Sequence, residues 1–309
     1  MKLLLASPRG FCAGVEMAID ALNRMLERFQ PPIYCLHQVV HNEVVVLDFE
    51  RRGVVFVDMV DEVPVGATLA LSAHGVSPVV RDQAARRQLH VIDLTCPLVT
   101  KVHREARRFA AEGRLIALVG HPGHDEVVGV VGEVPDDGMV LVQSPDDVRN
   151  LPDSAGRPLA YLTQTTLSVE ETREVLEALH DRFPGVTGPA RDDICYATQN
   201  RQDAIRRLAR DAGLTLVIGS SHSANTCNLV KAALSEGSPA YRIDGPEDID
   251  PAWIQGVDVV AVTSGASAPE AIVQDVVQYF VREYHADVEE RSLTTEHTHF
   301  ALPHELQNR

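Results

Sequence analysis

Three of the five cysteines in this 309-residue chain stand where a sulfur could do chemistry. They lie in Arg9-Gly-Phe-Cys12-Ala-Gly, Leu94-Thr-Cys96-Pro and Asp193-Ile-Cys195-Tyr. Cys96 is the most readable of the trio. An apolar run, Val91–Leu94, ends just before it, and Pro97 suits the first turn of a helix, where a missing N–H costs nothing. Val99, Val102, Ala106 and Phe109 then recur at helical spacing. A sulfur at such a strand-to-helix turn lies near the positive end of a helix dipole. That position favours the thiolate, the form that attacks or binds metal.

About 28 to 30 residues after each cysteine comes a second polar turn. These turns are His37-Gln-Val-Val-His41-Asn, Gly120-His-Pro-Gly-His124-Asp-Glu126 and Gly219-Ser-Ser-His-Ser223-Ala-Asn225. A third set follows after about 33 to 42 more: Ser72-Ala-His74-Gly, Thr163-Gln-Thr165-Thr166-Leu-Ser168 and Thr263-Ser-Gly-Ala-Ser267-Ala-Pro. Single turns have ordinary explanations. Ser168-Val-Glu-Glu171 and Ser267-Ala-Pro-Glu270 read as capping boxes, and Asn42 and Asn225 as N-caps. Capping does not explain cysteine at three equivalent turns with His, Thr, Ser and Asn at the other six.

Three thiolates without a fourth suit a catalytic zinc with an open position, or an iron–sulfur cluster with one iron free of protein ligands. No close zinc spacing such as Cys-x-x-Cys occurs, and thiolate softness accepts both metals. Helix N-termini bearing hydroxyl, amide and imidazole donors suit a di-anionic or tri-anionic head group. In the polar set Glu126 is the carboxylate beside the histidines and thus the natural proton donor. The residues alone point to a metal-assisted reaction on a small phosphorylated hydroxyl compound.

These turns need a scaffold, and the apolar pattern supplies one. Strands are expected at Lys2–Ala6, Ile33–Leu36, Val54–Val57, Thr68–Leu71, Val91–Leu94, Leu115–Val119, Met139–Val142, Leu159–Leu162, Leu214–Ile218, Ala240–Ile243 and Val257–Val262. Between them the helical period appears at Val15–Phe29, Val99–Ala111, Val169–Phe183, Ala204–Ala212 and Ala271–Tyr284. Such alternation predicts an α/β fold with mainly parallel sheets, whose ligands gather at the carboxyl ends of strands. The threefold pattern predicts domains at 1–96, 97–193 and 194–281, with Cys96 at a boundary and 282–309 as a C-terminal tail.

A net charge of −16 argues against a nucleic-acid partner. No apolar run approaches the roughly 18 residues of a membrane helix. The opening Met1–Arg9 breaks off too soon for a signal peptide, so a cytoplasmic protein is expected. Few, scattered and odd-numbered cysteines do not make a disulfide framework; Cys35 and Cys227 read as structural.

The chain resembles the 4-hydroxy-3-methylbut-2-enyl diphosphate reductases, the family that catalyses the last step of the non-mevalonate isoprenoid route. The resemblance is carried in order by Pro8–Val15, Gln38–Asn42, Ser72–Ser77, Asp93–His103, Gly120–Glu126, Thr163–Ser168, Asp193–Arg201 and Gly265–Pro269, and continues through Phe300–Leu306. It implies three pseudo-threefold-related α/β domains around a central 4Fe–4S cluster held by Cys12, Cys96 and Cys195, the fourth iron being left open to the substrate hydroxyl. It implies reductive dehydroxylation of an allylic diphosphate to isopentenyl and dimethylallyl diphosphates, with electrons from a ferredoxin or flavodoxin. His41, His74, His124, Ser223, Asn225 and Ser267 fall on diphosphate-binding positions. Glu126 matches the proton donor and Thr165, with Thr166 beside it, the threonine near the substrate hydroxyl. Ala224 departs from the family, many members of which carry a second serine there. Two other readings use the same residues: a redox-neutral iron–sulfur dehydratase, and a non-enzymatic iron–sulfur sensor or domain array that binds a phosphorylated metabolite. The phosphate-like turns in all three thirds and the single acid count against the first, and the lack of an output domain against the second.

Overall fold

Apolar runs become strands and the amphipathic stretches between them helices in a computed structural model, which describes residues 1–151 and 156–307. The chain starts with β1 (Lys2–Ser7), α1 (Ala13–Arg28), β2 (Ile33–Leu36), α2 (Glu43–Arg51) and β3 (Val54–Val57). Then come β4 (Thr68–Leu71), α3 (Pro78–Arg86), β5 (His90–Asp93), α4 (Pro97–Ala111), β6 (Leu115–Val119) and α5 (Asp125–Val131). Next are β7 (Met139–Val142), α6 (Pro145–Asn150), β8 (Leu159–Thr163), α7 (Val169–Arg182) and α8 (Tyr196–Ala209). The last stretch holds β9 (Leu214–Ile218), α9 (Ala224–Ser235), β10 (Ala240–Ile243) and α10 (Pro251–Ile254). It ends with β11 (Val259–Ser264), α11 (Glu270–Tyr284), β12 (Asp287–Ser292) and α12 (His304–Gln307).

Among the described residues the strands form three parallel sheets, ordered β3-β2-β4-β5, β7-β6-β8 and β10-β9-β11-β1-β12. All three follow one winding rule. A first strand (β2, β6 or β9) takes the next strand on one side and the one after that on the other. Beyond that third strand comes a fourth position, filled by β5, by a lone parallel bridge at Thr187, and by β1 respectively. Each cysteine of the trio follows this fourth position.

The expected divisions therefore differ at both ends of the chain. The strand expected to open domain 1–96 completes the sheet of the last third, and Asp287–Ser292, expected within the tail, adds its outer edge. Pairing between residues so far apart in sequence leaves no local pattern to read. The chain forms two compact units. One comprises Met1–Val15, His41–Val45 and Tyr196–His299, with the five-stranded sheet; the other comprises Glu16–Val40, Val46–Cys195 and Phe300–Arg309, with the remaining two sheets.

Parallel sheets need helices on both faces, so their strands are apolar on both. In β1, Leu3 and Leu5 pack with Val273, Val276 and Phe280 of α11, whereas Leu4 and Ala6 face Ile205 and Leu208 of α8 and Leu229 of α9. In β6, Leu115, Ala117 and Val119 join Val175 and Leu179 of α7, while Ile116 and Leu118 meet Val102, Ala106 and Phe109 of α4. Among the described residues no helix is long and apolar enough to cross a membrane. Leu4 is 1% exposed, so Leu4→Ala should lower the unfolding free energy by about 2–5 kcal/mol in urea titration. Val55→Ala, at a 40% exposed site, should cost less than about 1 kcal/mol. Equal costs would mean that β1 is not a core strand.

Candidate active site

All six non-cysteine turns lead from a strand's carboxyl end to the next helix. In the second unit, the turn after β6 ends at His124, the N-cap of α5, whose Nδ1 accepts the Glu126 N–H at 3.2 Å. The neutral ring must then carry its proton on Nε2. His74 meets the His124 ring edge-on, with centroids 5.9 Å apart.

Glu126 is 2% exposed. Thr165 donates its N–H to one carboxyl oxygen at 2.7 Å and its hydroxyl to the other at 2.9 Å. Burial nevertheless pushes the Glu126 pKa up to about 7; the two Thr165 bonds oppose that rise, and the negative charge of Asp193 adds to it. Asp193 is itself buried, accepts the Thr163 N–H at 3.0 Å and pairs with Lys101 Nζ at 2.9 Å. Its pKa is raised by burial against the pull of Lys101. Lys101 and Asp193 lie in motifs already visible in sequence, but nothing local marked their pairing across the chain.

Cys96 and Cys195, the two cysteines of the trio in this unit, are tied to the same turns. The Thr165 carbonyl accepts the Cys195 N–H at 3.0 Å, and the Ala73 carbonyl accepts the Cys96 N–H at 3.0 Å. Thr166 accepts from Gln164 at 3.0 Å, and Gln164 in turn accepts the His121 N–H at 3.0 Å, which braces two loops together. Glu126 is not the carboxylate closest to the histidines, contrary to the sequence expectation. Asp125 lies 3.0 Å from His37 Nδ1 and 3.8 Å from His74 Nδ1, and raises the His37 pKa against the effect of burial. Burial separates the two acids: Asp125 sits among imidazoles, and Glu126 points into the protein. Gly75 adopts φ +79°, and a Cβ there would stand 2.8 Å from Nε2 of His103, a ring fixed by Glu133 at 2.7 Å. Only glycine lets the His74 turn close over that ring.

In the first unit, the Cys12 N–H donates to the Ala266 carbonyl at 3.4 Å. Ser267 donates to the His41 carbonyl at 3.1 Å and is not a helix cap; Pro269 holds the N-cap of α11. Asn42 does cap α2, accepting the Val45 N–H at 3.2 Å. Asn225 does not cap α9. That role belongs to Ser223, which accepts the Thr226 N–H at 3.3 Å, and the helix starts at Ala224. Asn225 is 3% exposed, and neither its Oδ1 nor its Nδ2 has a partner. A buried amide with both ends unpaired is costly, and it marks a place where a polar ligand would complete the bonding.

Cys12, Cys96 and Cys195 are partly exposed and outside any disulfide, each directly before a helix of 14 to 16 residues. That setting fits thiolate ligands for a metal group. Cys35 does not fit: it is fully buried in β2, and burial drives its thiol pKa far above the usual range. Cys227 lies within α9, its sulfur donating to the Ser221 carbonyl at 3.3 Å.

Residues 3–281 match the family described as LytB protein. This chain belongs to that family. Among LytB relatives, a 4-hydroxy-3-methylbut-2-enyl diphosphate reductase of Azotobacter vinelandii is 50% identical over 310 residues, covering 99% of this chain and 98% of the relative. The enzyme of the same name from Rhodopirellula baltica is 48% identical, covering 99% and 96%. A solved structure, the E-1-hydroxy-2-methyl-but-2-enyl-4-diphosphate reductase of Plasmodium falciparum, superposes with a TM-score of 0.96 at 36% identity, covering 99% of this chain and 96% of that one.

The Glu126 shift sets a pH signature. Between about pH 4.5 and 7 the unfolded chain releases this proton while the folded chain keeps it, so stability falls as pH rises through that window. Glu126→Gln should lack that slope, worth up to about 3 kcal/mol in paired urea titrations. Parallel pH curves for the two proteins would show that Glu126 is not a buried neutral acid.

Proposed function

We propose that the chain is a 4-hydroxy-3-methylbut-2-enyl diphosphate reductase. It removes the hydroxyl of (E)-4-hydroxy-3-methylbut-2-enyl diphosphate with two electrons and two protons, giving water and isopentenyl or dimethylallyl diphosphate. Likeness to reductases of that name over 99% of the chain supports the substrate and the reaction. The observation that carries the reading in the chain's own geometry is Glu126, a buried acid with both oxygens bonded to Thr165 and a pKa of about 7.

Cys12, Cys96 and Cys195 are the proposed ligands of a 4Fe–4S cluster, with one iron left without a protein ligand. When bound, that group supplies electrons and a Lewis acid for the substrate hydroxyl. Glu126 holds the proton needed by the departing hydroxyl, at a pKa suited to giving it up near neutral pH. In this reading the Thr165 hydroxyl, which is hydrogen-bonded to the acid, passes that proton on and orients the substrate hydroxyl.

His41, His74, His124, Ser223, Asn225 and Ser267 are the proposed side-chain partners of the diphosphate. Ala224 adds only a backbone N–H at the first position of α9. The unpartnered Nδ2 of Asn225 gains its missing bond by donating to a phosphate oxygen. Reduced ferredoxin or flavodoxin in the cytoplasm is the proposed electron source.

Cys12→Ser, Cys96→Ser and Cys195→Ser should each lose the cluster absorbance and turnover in anaerobically purified protein; Cys35→Ser and Cys227→Ser should keep both. Full absorbance and activity in Cys195→Ser would end the three-ligand reading. Glu126→Gln should still show a substrate-induced spectral change while turnover drops about 10²-fold or more. Near-normal turnover would place the proton donor elsewhere. Titration of the same spectral change should show Asn225→Ala weakening binding more than Ala224→Ser alters it, the latter by less than about tenfold. A larger effect from Ala224→Ser would move the diphosphate along this turn.

A further inference from the structure

We propose that Arg201 is the positioning residue for Cys12, acting through the two carbonyls that precede it, and that Glu296 from the chain's last segment completes the clamp. The proposal rests on the reading of Cys12 as a metal-binding thiolate.

Arg201 lies in α8, 1% exposed, and its guanidinium is fully engaged. Nε and Nη2 donate to the Gly10 carbonyl at 3.1 and 2.9 Å, and Nη2 also reaches the Phe11 carbonyl at 3.3 Å. Nη1 donates to the Ala197 carbonyl at 3.0 Å and to Glu296 at 3.0 and 3.2 Å. Asn200 steadies that carboxylate from the same helix, donating to it at 2.9 Å. A buried guanidinium needs such a counter-charge, and Glu296 supplies one.

The rest of the turn is held from its N–H side. Gly10 donates to Ser264 Oγ at 2.8 Å and Cys12 to the Ala266 carbonyl at 3.4 Å. Arg9 anchors the approach, bonding the Ala6 carbonyl at 3.0 Å and Glu270 at 2.7 and 3.1 Å. Gly10 itself is left-handed, φ +64°, a conformation glycine adopts without strain. Two inward carbonyls side by side need a rigid donor that reaches both. A guanidinium fork does so, and a lysine ammonium, a point donor, does not. Without the fork these carbonyls lie unsatisfied, and the turn is held on one side only. The thiolate that follows would then sample many positions.

The test uses the full chain as Arg201→Met, Arg201→Lys and Glu296→Gln, with folding checked by circular dichroism. In the metal-free state, N-ethylmaleimide labelling of each cysteine is followed by peptide mass spectrometry, together with amide exchange across residues 8–14. Arg201→Met should raise the Cys12 labelling rate about tenfold or more and speed exchange in the turn, as local opening becomes easier, with Cys96 and Cys195 within about twofold of wild type. Arg201→Lys should restore only part of the protection, and Glu296→Gln should shift Cys12 the same way by less. Iron bound per chain after anaerobic reconstitution should fall in the same order. Unchanged Cys12 labelling in folded Arg201→Met overturns the proposal; if that variant does not fold, unchanged labelling in Arg201→Lys overturns it. A wild-type chain that takes up no cluster while labelling responds as expected removes the iron–sulfur reading and leaves the positioning role standing.

Discussion

A parallel strand cannot turn straight back into its neighbour; the chain must cross over and re-enter from the same end. In this protein that constraint acts through all three sheets, and most of its chemistry follows from it. Every crossover leaves a strand at its carboxyl end and enters a helix at its N-terminus, where backbone N–H groups lack partners. The same constraint makes the strands apolar on both faces, so polar side chains are displaced to those turns. His41, His74, His124, Thr165, Ser223 and Ser267 all occupy such turns.

Glu126 shows how a buried position decides between competing effects. Two hydrogen bonds from Thr165 favour the carboxylate, and each charge-assisted bond contributes about 1.5–3 kcal/mol. Removing the carboxylate from water costs more, and Asp193 adds repulsion from behind. The balance leaves the acid near neutrality instead of at either extreme, where it can both hold and release a proton. Asp125, the next residue, has imidazole neighbours in place of an apolar wall. Adjacent carboxylates thus have different tasks because α5 sends one side chain inward and the other toward His37 and His74.

Much of this was legible in the sequence where the signal is local. Seven of the strands, among them Ile33–Leu36 and Leu214–Ile218, stand within their expected bounds because a buried parallel strand is a short apolar run with sharp edges. Asp287–Ser292 was not legible: at the sheet edge it is mostly polar and pairs only with β1. Helix α8 starts at Tyr196, well before the expected Ala204, because its first two turns bury Thr198, Arg201 and Gln202 in place of an apolar stripe. Ser267 and Glu270 have the spacing of a capping box, yet Ser267 is drawn instead to the His41 carbonyl. Local pattern shows what a residue is able to bond, while the tertiary fold selects the partner.

The winding rule explains why the cysteines recur as they do. Each follows the fourth position of its sheet, so the repeat runs from β2 to Cys96, from β6 to Cys195, and from β9 through the chain's own beginning to Cys12. The last repeat is closed by β1, set between β11 and β12. Closing so long a loop costs surprisingly little, since the entropy grows only as the logarithm of length, about 0.6 kcal/mol per doubling. Against that small increment stand the burial of Leu3, Leu4 and Leu5 in two cores and the bonds that Ser264, Ala266 and Arg201 make to the turn after β1. Distant pairing therefore places Cys12 as firmly as a local turn would, and it makes that placement depend on residues from the other end of the chain.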